Sequence, residues 1–138
     1  MKALLITDNM EFKTVELPER KYMFQRMAAA IGCERVEFTN PKRLKDGFCM
    51  VCDESALLKE NPRLNLIATY LCKMDGNTEG IFGNVLIMAD KSTPDGIETI
   101  GLTEHELETV KIMILMYGVG IVYFGYKLMG IDPDLYEE

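Results

Sequence analysis

Val85-Leu86-Ile87-Met88-Ala89 is a run of five residues without a polar side chain, preceded by Gly83-Asn84 and followed by Asp90. An extended strand sends alternate side chains to opposite faces, so such a run needs apolar cover on both. Residues 80–90 are therefore expected to form a central strand of a sheet sandwiched between other elements. At 138 residues with 48% hydrophobic composition, the chain can bury such a sheet in one core, and a single domain over residues 1–138 is expected.

The surrounding sequence alternates short strand and helix patterns. Residues 2–7 and 12–17 are partly alternating and β-branched, and the polar stretch Asp8 to Glu11 between them suits a hairpin loop. Pro18 and Glu19 suit the start of a helix that ends at Gly32, with Met23, Met27 and Ala30 sharing a face with Phe24 and Ile31. Residues 34–38 alternate apolar and charged positions before Asn40-Pro41 stops them, and Asp46-Gly47 is a turn leading into Phe48-Cys49-Met50-Val51-Cys52. After a turn or short helix at 54–60, Asn61 is expected to cap a helix with Pro62 at its first position. Leu64, Ile67, Leu71 and Met74 line one face of it, and it ends near Gly76. A turn over 92–96 and a short strand over 97–101 follow. Thr103 with Glu106 then forms a capping box for a helix reaching about Gly118.

Cys49 and Cys52 have the spacing of zinc knuckles and of dithiol redox sites. In a strand, however, positions three apart point to opposite faces, so the two thiols are expected to share neither a metal ion nor a disulfide. Their neighbours Phe48, Met50 and Val51 belong in a core. Cys33 and Cys72 form no second pair of that spacing, and His105 is the only histidine. The four cysteines are expected to be reduced thiols, with no metal and no cofactor. Gly80 and Gly83 precede no Lys-Ser or Lys-Thr pair and make no phosphate loop.

Charge divides the chain. Residues 1–45 carry nine basic and six acidic side chains, whereas residues 46–138 carry six basic and sixteen acidic, within a total of −7. Nucleic-acid binding across the surface is thereby disfavoured, because phosphate contacts need clustered Lys and Arg. Lys42, Arg43 and Lys45 are the one local basic group, expected to be a solvated turn. Glu104, Glu106 and Glu108, together with the acidic tail from Asp132, are the candidate face for a partner with a basic surface. With Asp90, Asp95 and Glu98 they can be drawn as a carboxylate site, but helix-start dipole compensation and a solvated face are the simpler account of all six.

Residues 112–131 are strongly apolar, and a membrane span can be drawn through them. Gly118, Gly120, Gly125 and the internal Lys127 break the pattern, so the expectation is a helix ending at Gly118 and then a strand or second helix packed on the core. The N-terminal apolar run is too short for a secretory signal, and a cytoplasmic location is expected.

The order of the N-terminal strand pair, a helix, the Asp46–Asn65 stretch, a helix, the Ile81–Asp90 strand and the late Leu102-Thr103-Glu104-His105-Glu106 resembles a small uncharacterised domain family of Gram-positive gut bacteria, their phages and mobile elements. The resemblance covers roughly residues 1–115 and is carried by Asp46-Gly47, Asp53-Glu54, Leu57-Leu58 and Gly83 to Ala89; the chain departs from the pattern after Gly118. It implies an accessory protein of a bacterium or mobile element and supplies no catalytic residue. The expected fold is α+β, with a mixed or mainly antiparallel sheet of about five or six strands and about three helices. The expected function is non-enzymatic protein–protein binding, modulating host or defence machinery; self-association stays open. The competing expectation is a small-molecule-binding protein or small enzyme with a pocket near Cys49, Cys52 and His105.

Overall fold

The computed structural model describes residues 1–18, 22–72 and 80–131. In chain order they form β1 (Lys2–Ile6), β2 (Phe12–Glu16), α1 (Met23–Ile31), β3 (Val36–Thr39), β4 (Phe48–Asp53), a single 3-10 turn at Ala56–Leu58, and α2 (Leu66–Cys72). They continue with β5 (Val85–Thr93), β6 (Gly96–Ile100), α3 (Glu104–Met116) and α4 (Gly118–Leu128). The six strands make one antiparallel sheet in the order β2-β1-β5-β4-β3, with β6 on β5. The fold is α+β, with four helices where the sequence pattern suggests three.

β5 is the central strand. Val85 to Ala89 are at most 2% exposed, and their alternation divides the core into two layers. Leu86 and Met88 join Ala3, Leu5, Cys49, Val51, Met27 and Ile31 under α1. Val85, Ile87 and Ala89 join Leu4, Ile6, Met50, Cys52 and the inward residues of α2, α3 and α4 on the other face. Cys49 and Cys52 thus lie in different layers, as their spacing in a strand requires.

Several boundaries differ from the sequence reading. β5 starts at Val85 rather than Gly80, because Phe82 bridges to Leu64 and Gly83 turns the chain with φ 81°. It then runs three residues past Asp90, held by β6. α1 begins at Met23 behind a left-handed Tyr22, and Phe24 stands 62% exposed instead of joining the core.

α2 begins at Leu66 rather than Pro62. Asn61 is left-handed (φ 54°) and caps nothing; the cap is Asn65, whose Oδ1 accepts from the Ala68 N–H at 3.0 Å. Met74 and Gly76, expected in this helix, and the acidic stretch 132–138 lie outside the described residues.

The capping box forms as expected: Thr103 Oγ1 accepts from the Glu106 N–H at 3.1 Å, and Glu106 Oε1 accepts from the Thr103 N–H at 2.9 Å. α3 and α4 meet at Tyr117 with a bend of 53°. The Tyr117 hydroxyl donates to the Arg43 carbonyl at 2.7 Å, pinning the bend to the basic loop. No single helix among the described residues is long and apolar enough to cross a membrane; the bent pair has the length and composition. The second helix lays Ile121 and Phe124 into the core, so the segment 112–131 does pack on the sheet, though with only one of its faces.

Candidate binding groove

A register mismatch within the sheet creates a wide, open recess. β4 pairs with β5 no further than Phe48 opposite Ala89, after which the Asp90 N–H donates to the Gly47 carbonyl at 2.8 Å. On the other edge of β5, β6 pairs from Ala89 opposite Ile100 out to Thr93 opposite Gly96. The β5–β6 hairpin therefore overhangs the sheet. The nine-residue α1 is too short to cover the overhang, and a groove of about 1070 Å³ opens between the start of α1, the end of β3 and the hairpin.

Cys49 and the Asp90–Thr99 pair lie on the α1 face and form the floor. Phe24 from α1 and Phe38 from β3 meet edge to face, centroids 5.9 Å apart, on one wall. Ile97, 75% exposed, stands on the hairpin side, with Asp95 at the turn. Three carboxylates, Asp90, Asp95 and Glu98, line the groove, and among the described residues no Lys or Arg does. None of the three forms an ion pair among the described residues. Clustered negative charge beside exposed aromatic and aliphatic surface suits a ligand that is cationic and partly apolar.

The thiols are poor nucleophiles. Burial, helped by the Asp90 carboxylate, pushes Cys49 up to about 12. Burial and Glu37 push Cys52 up to about 12, burial pushes Cys72 up to about 11, and burial raises Cys33 as well. The thiolate is the reactive form, and at neutral pH these groups are protonated. All four cysteines are free. Among the described residues no three His, Cys, Asp or Glu side chains gather to hold a metal ion.

The remaining residues singled out by the sequence fall elsewhere. Cys52 faces the α2 layer beside Glu37, its sulfur 3.6 Å from the Glu37 carbonyl oxygen, and His105 is exposed on α3. The structure therefore brings only Cys49 of that trio to the groove. Glu104 pairs with Lys2, Glu106 closes the capping box, and Glu108 lies 3.8 Å from Lys111, so each α3 carboxylate has a partner within the chain. In the basic loop Arg43 stacks on Tyr70, 4.2 Å from the ring centroid, while Lys42 and Lys45 are exposed.

The sequence names Cys49 and these carboxylates but does not join them into a groove: the carboxylates read as a solvated face, and Phe24 as part of the apolar face of α1. The only available signals were Ile97, an apolar residue in a strand bounded by turns, and a Phe-rich α1–β3 pair with no visible partner.

These features define an α+β sheet domain with one face half covered. Residues 1–115 match DUF3846, a domain of unknown function, and the chain belongs to that family. No curated protein and no solved structure matches it. The groove lies within the matched residues and α4 beyond them.

Proposed function

We propose that the protein acts by binding another protein rather than by catalysis, and that the partner offers the groove between α1 and β6 a segment carrying Lys or Arg beside an apolar residue. The observation that carries this reading is the groove lining among the described residues: three carboxylates, no basic side chain, and exposed Phe24, Phe38 and Ile97. Protonated thiols argue in the same direction, since they supply no nucleophile. Glu104, Glu106 and Glu108 are the second acidic surface open to such a partner, but their internal contacts leave less charge to offer. The resemblance to proteins of Gram-positive gut bacteria and their phages supports an accessory role in the cytoplasm of a bacterium carrying a mobile element.

Parallel affinity capture from host cells tests it, using the wild type, a variant with Asp90→Asn, Asp95→Asn and Ile97→Ser, and a variant with all three α3 glutamates changed to Gln. A basic partner retained by the wild type and lost only with the groove variant supports the reading. Its association rate should fall roughly tenfold or more as NaCl rises from about 0.05 to 0.5 M. A partner indifferent to the groove variant, or one whose association ignores salt, contradicts it.

A further inference from the structure

A second unpartnered surface lies on the opposite side of the sheet. Ile112, Leu115, Val119, Val122, Tyr126 and Met129 follow one another at alternating spacings of three and four, the pattern of a helix–helix seam, and all are exposed. The faces turned away from this ridge are already used, since Leu107, Val110, Ile114, Ile121 and Phe124 fill the core. At the bend the ridge reaches its apex: Met116 and Val119 are 77% and 84% exposed. Beside α4 runs an apolar groove of about 320 Å³ lined by Met10, Leu64, Leu66, Val122, Leu128 and Met129. No charged side chain occurs between Lys111 and Lys127.

We propose that this face binds a second copy of the chain, the α3–α4 apex of each protomer seated in the α4 groove of the other. A ridge and a groove of like character side by side on one surface are self-complementary about a two-fold axis, as an isologous dimer requires. With Met116, the ridge exposes the equivalent of four to five whole apolar side chains, roughly 450 Å² per copy at about 100 Å² each. If about 65% of a homodimer interface is apolar, the pair buries roughly 1,400 Å² in total, within the range of stable specific interfaces.

Charge selects this occupant over a bilayer. Two copies of a chain with net charge −7 repel each other except where charge is absent, and this ridge is such a place. An anionic lipid surface is repelled by the same net charge and, among the described residues of α3 and α4, meets only Lys111 and Lys127 at the ridge ends, far short of a polybasic cluster.

Sedimentation velocity of the full chain from about 1 to 200 μM decides it. The expected result is a species of twice 15.7 kDa that persists at about 1 M NaCl. Val119→Glu, and separately Met116→Gln, should weaken dimerisation by about 100-fold or more with unchanged circular dichroism. Met10→Glu, on the groove side, should do the same. Because three surface positions, one each in α3, α4 and the β1–β2 loop, are changed singly, misfolding of one leaves the others to report. The proposal is overturned by a monomer throughout the concentration range, by a dimer that survives all three substitutions, or by a monomer that co-floats with phosphatidylcholine–phosphatidylglycerol vesicles unless Val119 is changed. The last result assigns the face to a membrane. None of these outcomes bears on the α1–β6 groove, which faces the other way.

Discussion

Replacing Asn65 should damage this fold more than any other single polar substitution, and the structure shows why. Asn65 is wholly buried and makes three hydrogen bonds into three different segments. Its Nδ2 donates to the Ile6 carbonyl at the end of β1 (3.1 Å) and to the Gly83 carbonyl ahead of β5 (2.9 Å), while Oδ1 caps α2. Thr69 extends the network one turn on, its hydroxyl donating to the Asn65 carbonyl at 2.8 Å and accepting from the Ile81 N–H at 2.9 Å. Asn65→Ala removes three bonds worth about 1 kcal/mol each and leaves two carbonyls and one N–H without partners and without water, so a loss of roughly 3–4 kcal/mol is expected. For a chain of this length that lowers Tm by about 10 °C. Urea unfolding followed by circular dichroism measures it, with the denaturant slope unchanged. Asn65→Asp separates the two roles. Aspartate caps helices as well as asparagine does, but it offers no N–H to the Ile6 and Gly83 carbonyls and adds a buried charge beside them. A variant within about 0.5 kcal/mol of wild type would reduce Asn65 to a simple helix cap and refute the cross-linking argument.

Three further outcomes are expected. At pH 7.5 a thiol reagent such as Ellman's should leave buried Cys49, Cys52 and Cys72 untouched in the native protein, reaching at most half-exposed Cys33, and should titrate all four after denaturation. The folded state holds the Cys49 and Cys52 protons from an ordinary value of 9.0 up to about 12, so stability is intact below pH 9 and falls as pH rises through that window; a urea midpoint flat from pH 8 to 11 contradicts this. Gly120→Ala should destabilise although alanine favours helix, because the new methyl would meet the Tyr70 ring and hydroxyl. Gly118→Ala, where a methyl meets nothing, should be neutral or stabilising by up to about 1 kcal/mol, as equal thermal shifts for the two would disprove.

What the sequence revealed depended on how local the cause was. The central strand at Val85 to Ala89, the division of Cys49 from Cys52 and the Thr103–Glu106 box each follow from a period or a spacing of a few residues, and each is seen. The start of α2 shows the limit. Asn61-Pro62 is a sound local start signal, but Leu64 is drawn into a bridge with Phe82 and Asn65 into contacts with Ile6 and Gly83, and these distant demands move the cap by four residues. The groove was illegible for the same reason. It exists because the β5–β6 hairpin outlasts β4 while the short α1 does not reach over it, a comparison between elements that no one segment contains. Periodicity also does not say what covers an apolar stripe. Met27 and Ile31 in α1 are core, whereas Leu115 and Val119 carry the same kind of pattern into solvent.

The two open faces gain meaning from their placement. α1 and the aromatic, acidic groove lie on one side of the sheet; α2, α3, α4 and the apolar ridge lie on the other. A pair of chains joined through their ridges would therefore carry its grooves outward, unobstructed and pointing away from each other. Contacts to an exposed basic segment through a few carboxylates and a pair of phenyl rings are individually weak, because salt screens the charges and the groove is open to water. Doubling the groove changes that arithmetic without any new contact. Once one groove holds a partner with repeated basic segments, the second binds at an effective concentration in the millimolar range, and avidity exceeds single-site affinity by a factor of about 10² or more. Assembly on one face and recognition on the other would thus let a small chain with shallow sites act on a large or repetitive target.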